Sequence, residues 1–306
     1  MEQQQLILAS SPHVRDTDST QKIMLTVVVA LLPVWGASIY FFGLDAVRLV
    51  LWAAAAAVVA EAIFQRLRGK PSSTHDGSAL VTGMLLGLSV PPTLPSWMVV
   101  LGAIVAIGLG KQVFGGLGHN PFNPALVGRA FLTTSFAVPM TTWARPFDGI
   151  SGATPLALGS GVVPYSDLFF GSIAGSLGET SVLAILLAGI FMFYRGVLDF
   201  RMPLGFLATT IGLMFVLGHD PLFHIMSGSI MFAAVFMVTC MVTTPVTRRG
   251  RVIYGIGVGI IVTVIRLWGN LPEGVTFAIL LMNAATPLIN RWTRPRIFGQ
   301  GVTLDA

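Results

Sequence analysis

The sequence predicts an all-helical integral membrane protein, and three observations support this class. Of its 306 residues, 54% are hydrophobic and only 10% are charged, whereas soluble domains carry about 25% charged residues. Several apolar runs approach roughly 20 residues, the length that a helix needs to cross the hydrocarbon of a bilayer. Because backbone groups in lipid must be hydrogen-bonded internally, these runs are expected to be helices. The length of the chain allows about ten of them.

The first half of the chain, residues 23–140, carries five predicted segments and follows a polar arm, residues 1–22. These segments are residues 23–42, 46–65, 79–90, 97–114 and 125–140. The third segment corresponds to about 18 Å of helix, which is too short to cross a bilayer alone. We therefore expect a half-helix there. Glycines and prolines between the fourth and fifth segments predict a helix break.

A polar interval, residues 141–179, separates this half from a second half, residues 180–290, and residues 291–306 form a tail. The second half has segments at residues 180–194, 202–217, 223–241, 252–268 and 275–289. A faint repeat relates the halves, because a Gly-Ser pair at residues 77–78 and another at 228–229 each precede an apolar run that ends in proline. Because each half has an odd number of segments, the second half begins on the opposite side of the membrane from the first. The two halves are therefore expected to be inverted, with interrupted helices.

The distribution of lysine and arginine supports ten crossings. With a cytoplasmic N-terminus, fifteen basic residues lie inside, Lys111 and Arg129 among them, and three lie outside. If the third segment did not cross, the count would be seven inside and eleven outside. This bias predicts cytoplasmic termini and an extracytoplasmic interval. The net charge of +5 therefore reflects membrane topology, and no nucleic-acid partner is expected.

No metal site and no catalytic residue set is predicted in this chain. Cys240 is the only cysteine, so the chain has too few thiolates for a disulfide or for the four ligands of an iron–sulfur cluster. No phosphate-binding loop or pair of nucleophile and base occurs. A redox cofactor that belongs to this chain alone must be held in another way.

The polar interval contains the stretch with the clearest chemical signal, an Asp-x-x-Ser-Gly-Ala-Thr pattern. It consists of Asp148, Ser151, Gly152, Ala153 and Thr154. The small residues leave the threonine hydroxyl accessible to an enzyme that attaches a group to its oxygen. At average residue usage, such a pattern occurs by chance in about one chain of this length in a thousand. The alternative interpretation is an ordinary Gly/Ser loop.

With this pattern, the chain resembles a family of flavin-carrying membrane proteins over nearly its whole length. The matching stretches are SPH-x-R at residues 11–15, DGSA-x-VTG at 76–83, K-x-x-FGGLG-x-N-x-FNPA at 111–125 and SGAT at 151–154. The family contains the RnfD proteins of the Rnf complex, a membrane ferredoxin:NAD oxidoreductase, and more distantly the NqrB proteins of the sodium-pumping NADH:quinone reductase. The latter have an extended N-terminal region that the short polar arm lacks, which favours the Rnf branch.

The resemblance implies that a flavin transferase joins the phosphate of FMN to the Thr154 hydroxyl as a phosphoester. It implies a protein that relays electrons beside iron–sulfur and flavin subunits in a bacterial cytoplasmic (inner) membrane, coupled to sodium or proton export, with Thr154 on the outer face. A noncovalent riboflavin is also implied, although no residue identifies its pocket. The rival hypothesis is a stand-alone solute channel or secondary transporter without flavin, which the same ten-helix arrangement would suit.

Four further polar residues allow more than one interpretation. Asp76 is expected to cap the short third helix, with ion passage or flavin contact as alternatives. Glu61 is expected to pair with Arg66 near the membrane surface rather than to bind an ion. Asn120 is expected either to satisfy the interrupted helix ends or to contact a cofactor. Glu179 is expected to be an interfacial charge at the start of the sixth segment.

Overall fold

The computed structural model describes residues 18–69, 73–269 and 274–295. Apart from one isolated antiparallel bridge between Ala144 and Ser151, these residues form helices, turns and loops. The predicted all-helical class is therefore confirmed. The SPH-x-R stretch, most of the polar arm and residues 296–306 of the tail lie outside the described residues.

The five segments predicted in the first half all occur as helices. They are α1 (Thr20–Phe42), α2 (Leu44–Leu67), α3 (Ser78–Leu88), α4 (Ser96–Ile107) and α5 (Pro124–Ser135). The α1 helix begins where the Ser19 side chain accepts the Lys22 N–H, and α5 begins where the Asn123 side chain accepts the Ala125 N–H. A π-helical turn, Gly108–Gln112, extends α4 toward the predicted break.

The α3 helix is the predicted half-helix, and it lies inside the protein. Ten of its eleven residues are buried. Its glycine face packs directly on α2, because a Cβ atom at Gly83 would lie 2.5 Å from the Ala54 Cα atom. Only glycine permits this approach, which is typical of helices that pack through small residues in membranes.

Three short helices follow α5, the first at the end of the first half and the other two in the polar interval. They are α6 (Ala137–Thr141), α7 (Pro155–Leu158) and α8 (Tyr165–Phe170). The prediction of one continuous fifth segment up to residue 140 was wrong, because the chain leaves helical geometry at Phe136 before α6 begins. Pro139 has no N–H to donate to the Ser135 carbonyl, which favours the break.

The second half contains helices that correspond to its predicted segments, with one exception. They are α9 (Val182–Tyr194), α10 (Arg201–Val216), α11 (Pro221–Met226), α12 (Ile230–Phe232), α13 (Arg248–Trp268) and α14 (Val275–Trp292). The predicted segment 223–241 is not one helix: α11 ends before Gly228, whose φ is +68°, and α12 leads into a π-helical turn, Ala233–Met237. The interruption lies at the Ser-Gly-Ser stretch of residues 227–229.

Three helices in the described ranges, α1, α2 and α13, are long and apolar enough to cross a bilayer by length and composition. The α3, α9 and α10 helices, and α4 together with its π-helical turn, are shorter apolar helices. The halves pack together where α1 contacts α9 and where α5 contacts α14. One continuous hydrophobic core includes residues from both halves.

Candidate functional site

The Asp148–Thr154 stretch begins as one arm of a short hairpin. The Arg145 N–H donates to the Ile150 carbonyl and the Gly152 N–H donates to the Trp143 carbonyl, both at 2.9 Å. The isolated bridge described above lies between these two bonds. Hydrogen bonds to residues 143–145 therefore hold the backbone that leads to Thr154.

The tip of this hairpin is anchored to the end of α1. Phe147 and Gly149 both have positive φ angles, 66° and 63°. The Phe147 N–H donates to the Phe41 carbonyl at 3.0 Å, and its ring packs edge-on against the rings of Tyr40 and Phe41. Asp148 lies at this tip and is exposed. The structure thus places Asp148 at the end of α1, away from the cavity that Thr154 lines.

Thr154 lies at the N-cap of α7 with a hydroxyl that is not used for capping. Its carbonyl accepts the N–H groups of Ala157 and Leu158 at 2.9 and 3.1 Å, whereas its side chain makes no capping hydrogen bond. The residue is half-buried, and the preceding Ala153 is exposed. An accessible hydroxyl beside small residues is what a phosphoester at this oxygen requires, so the residues present fit a covalently attached flavin.

Arg145 lies across the same loop. A Cβ atom at Gly152 would lie 2.8 Å from the Arg145 Cγ atom and 2.9 Å from its Nε atom, so a side chain there would displace the arginine. The loop therefore places a cation against Gly152, two residues before Thr154. We did not select Arg145 from the sequence, although it is the only basic residue in the interval 141–179.

A small cavity, of about 20 Å³, opens beside Thr154, and we name it the attachment cavity. The residues that line it include Trp143, Thr154, Leu156, Glu179, Thr180 and Gly228. It lies between the polar interval and the beginning of the second half. A small apolar cluster of Leu168, Ile173 and Phe223, with Leu156 packed against it, joins the interval to α11.

A second contact between the interval and the second half is polar. The Tyr165 hydroxyl of α8 donates to the Asp220 carboxylate at the start of α11. This hydrogen bond lowers the pKa of Asp220 and raises the pKa of Tyr165. Asp220 also accepts the N–H groups of Leu222 and Phe223. The α8 helix of the interval is thus connected to the N-terminus of α11.

A buried ion pair lies at the wall of the attachment cavity. The Arg129 Nη1 atom is 2.6 Å from the Glu179 Oε1 atom, and both side chains are almost fully buried. Arg129 also donates to the Ser176 hydroxyl at 3.4 Å. The prediction of an interfacial Glu179 was wrong, because the loop before α9 folds inward and brings its carboxylate to the arginine of α5.

A second buried ion pair lies in the first half. The Lys111 Nζ atom is 2.5 Å from the Glu61 Oε1 atom, so the predicted pairing of Glu61 with Arg66 was wrong. The π-helical turn carries Lys111 to this position. Lys111 and Arg129 are buried, and without them the number of basic residues predicted on the cytoplasmic side falls from fifteen to thirteen. The number predicted on the outer side is three. The predicted orientation of the termini stays a prediction.

Polar side chains surround this second pair. Gln112 donates to the Glu61 carboxylate at 2.9 Å, and Lys111 donates to the Ser78 hydroxyl at 2.5 Å. The Asp76 carboxylate accepts the Ser78 N–H at 2.7 Å, as predicted, although the N-cap residue of α3 is Gly77 rather than Asp76. A continuous set of hydrogen bonds therefore joins the start of α3 to the carboxylate in α2.

A larger cavity, of about 100 Å³, lies between the halves, and we name it the central cavity. Ser78, Lys111, Asn120 and Asn123 contribute its polar wall, and most other lining residues are apolar. Asn120 donates to the Phe122 carbonyl at 3.1 Å, as a residue that satisfies an interrupted helix would. Within the described residues its buried Oδ1 atom has no hydrogen-bond partner.

Among the described residues, no group of three or more histidine, cysteine, aspartate or glutamate side chains could hold a metal ion. The functional groups are instead an accessible threonine hydroxyl, two cavities and two buried ion pairs. With helices of membrane length and an apolar exterior, these features define a polytopic helical membrane protein with internal polar sites.

The chain belongs to the NQR2, RnfD, RnfE family, whose sequence model matches residues 7–299. It is 44% identical over 308 residues to the D subunit of the Na(+)-translocating ferredoxin:NAD(+) oxidoreductase complex of Acetobacterium woodii, covering 98% of this chain and 97% of the relative. The D subunit of the proton-translocating ferredoxin:NAD(+) oxidoreductase complex of Clostridium ljungdahlii is 39% identical over 317 residues, covering 95% and 96%. The D subunit of the ion-translocating oxidoreductase complex of Stutzerimonas stutzeri is 42% identical over 329 residues, covering 92% and 93%.

Proposed function

We propose that this chain is the flavin-carrying membrane subunit of an ion-translocating ferredoxin:NAD oxidoreductase complex, with FMN attached to Thr154 through a phosphoester. The observation that carries the proposal is the accessible Thr154 hydroxyl, which lies in an SGAT stretch beside a cavity. The names of the relatives support membership of such a complex. Both a sodium-translocating and a proton-translocating relative are similar to this chain, so the comparison does not select an ion.

The residues of the chain would perform distinct tasks around the attached group. A bound flavin supplies the chemistry of accepting and donating electrons. Thr154 would anchor it, which maintains a high local concentration and a fixed stoichiometry. Gly152 and Ala153 would leave room for the flavin transferase, and Arg145 would pair with the negative charge of the phosphoester. Trp143, which is 6% exposed, would exclude water from the cavity side.

We further propose ten membrane crossings in two inverted halves, with Thr154 on the outer face of a bacterial inner membrane. Support comes from the glycines that precede the two buried interruptions. Gly77, before α3, has a φ of 77°, and Gly228, before α12, has a φ of 68°. Both interruptions are therefore entered through the same unusual backbone geometry, as expected of related halves.

The partners follow from the same proposal. They are the iron–sulfur and flavin subunits of the complex, a flavin transferase during maturation and membrane lipid. The central cavity is where we propose the noncovalent riboflavin, because its apolar wall with a few polar groups is typical of cofactor pockets. Lys111, Asn120 and Asn123 would contact the polar edge of that molecule.

The test is to coexpress the full chain with a flavin transferase and to examine denatured protein on a gel. We expect a fluorescent flavin band and an intact mass about 438 Da above that of the bare chain, the increment expected for an FMN ester. Thr154→Val should abolish both signals and leave membrane insertion intact. Thr142→Val, which removes another hydroxyl from the polar interval, is the matched control and should retain both.

A wild-type chain that carries no flavin under these conditions would contradict the proposal. The remaining candidate would be a stand-alone solute channel or secondary transporter, which interrupted helices and a central cavity would also suit. Flux of a solute through proteoliposomes that contain only this chain would then be the measurement of choice.

A further inference from the structure

A groove lies at the surface of the protein, between the start of α1 and the end of α9. It has a volume of about 270 Å³, and the residues that line it are Lys22, Leu25, Thr26, Val29, Phe191 and Arg195. We propose that this groove binds one anionic phospholipid, whose phosphate lies between the two basic side chains and whose acyl chain follows the apolar floor. The proposal does not depend on the attachment of a flavin at Thr154.

The first support is the pair of cations at one end of the groove. Lys22 lies in the first turn of α1 and Arg195 is the C-cap residue of α9, so the two helices bring their charges to the same end. Both residues are exposed, and none of the described residues that line the groove is acidic. Each side chain has several N–H donors, so each is able to bind a phosphate oxygen in addition to a neighbour within the chain.

The second support is the apolar surface that continues from these cations. Leu25 and Val29 are four positions apart and therefore share one face of α1, where they are 47% and 48% exposed. Phe191 lies across the groove on α9. The Thr26 hydroxyl in the floor donates to the Lys22 carbonyl at 2.8 Å, so it is already satisfied. The helix rises by about 10 Å from Lys22 to Val29, which separates the charged end from the apolar end as a lipid requires.

Neither helix by itself accounts for this arrangement. The helix dipole favours a cation at the end of α9 but opposes one in the first turn of α1. Topology predicts lysine and arginine at the cytoplasmic ends of helices, where both residues are expected, but it does not require two of them to border one groove. An anionic lipid explains the pair, because the cytoplasmic leaflet carries anionic headgroups and basic sites between membrane helices bind them.

The test is native mass spectrometry of the purified full chain in detergent, with equal concentrations of phosphatidylglycerol and phosphatidylcholine of the same acyl chains. We expect the first bound lipid to be phosphatidylglycerol, because only the charge of the headgroup differs. Lys22→Gln and Arg195→Gln should each weaken its retention about fivefold, the effect of one basic residue near an anionic surface. The double variant should bind the two lipids equally.

Three further variants separate the groove from the general charge of the cytoplasmic side. Arg249→Gln removes an exposed cation near the start of α13 that does not line the groove, so it should leave retention unchanged. Lys22→Arg preserves the charge and should retain the lipid. Val29→Asn places a polar side chain in the apolar floor and should weaken retention several-fold without changing the charge.

Inorganic phosphate at millimolar concentration is the second probe. It should not displace the lipid, because it makes no contact with the apolar floor, and displacement would overturn the proposal in favour of a simple anion site. Equal retention of the two lipids by the wild type would also overturn it, as would a loss in Arg249→Gln as large as that in Arg195→Gln. None of these measurements uses the flavin, so their outcome is independent of the gel test at Thr154.

Discussion

The two buried ion pairs have different surroundings, because each borders a different cavity. Glu61 and Lys111 are enclosed by hydrogen-bonding side chains from α2, α3 and the π-helical turn, and Lys111 lines the central cavity. Arg129 in α5 and Glu179 in the loop before α9 join the first half to the polar interval, and Glu179 borders the attachment cavity. The first pair therefore connects elements of one half, whereas the second connects two parts of the chain. Each pair is able to influence what binds in the cavity that it borders.

The largest effect is expected at the first pair. Lys111→Met leaves the Glu61 carboxylate buried without its cation, which typically costs about 3–5 kcal/mol. Denaturant unfolding of the full chain in micelles should show this loss. The double variant Glu61→Gln, Lys111→Met should recover most of it, since no charge remains to be compensated. Equal instability of the single and double variants would contradict the importance of the pair.

The next effect is expected at the second pair. Glu179→Gln replaces a charged hydrogen bond to Arg129 and should lower stability by about 1.5–3 kcal/mol. It also leaves an uncompensated positive charge beside the attachment cavity. Redox titration should therefore show a more positive midpoint potential for the attached flavin, because positive charge stabilises the reduced form.

The matched control for the potential is Glu61→Gln. This variant changes the net charge equally, but at the pair that does not border the attachment cavity. We expect it to leave the potential of the attached flavin almost unchanged. An equal shift in both variants would mean that the surroundings of the two pairs do not distinguish their effects on the flavin.

A smaller effect is expected at the glycine in the wall of the attachment cavity. Gly228→Ala forces a side chain into a left-handed conformation, which costs about 1–2 kcal/mol. The new Cβ atom would also lie 2.9 Å from the Arg266 Nη2 atom and 3.0 Å from the Leu156 Cδ1 atom. Thermal unfolding should reveal the loss. Gly36→Ala, where a Cβ atom meets nothing within 4 Å, should be close to neutral.

The smallest effect on stability is expected at Arg145, which is exposed. Arg145→Gln should leave unfolding unchanged and slow flavin attachment several-fold, because the cation near the phosphoester is lost. The time course of the gel band after addition of transferase measures this. Arg48→Gln, which removes a positive charge near the start of α2, is the control and should not change the rate.

Much of the architecture was predictable from local composition. Apolar run length identified the helices of the first half, and the run of only twelve residues identified α3 as a half-helix. Hydropathy averaged over the eighth segment did not show the interruption at Gly228, although Gly228 lies between Ser227 and Ser229. Nor could it show the break at Phe136, where only Pro139 gave a local signal.

The candidate site was predictable to a similar extent. A pattern of small residues identified Thr154, and the structure is compatible with it. The partners of the site come from distant parts of the chain: Arg129 meets Glu179 across 50 positions of sequence, and Lys111 meets Glu61 across 50. Interpreting Glu61 and Glu179 by their proximity to segment ends placed both at the membrane surface, and that was wrong.

By itself the sequence predicted a helical membrane protein, most of its helices apart from the breaks at Phe136 and Gly228, and the Thr154 hydroxyl as the candidate site for a flavin. These properties depend on run length, composition and local pattern. Only the tertiary structure decided which charges are buried together and which residues form the attachment cavity. The physical reason is that burying an ion requires a counter-ion at about 3 Å, and packing, rather than sequence proximity, brings the two together.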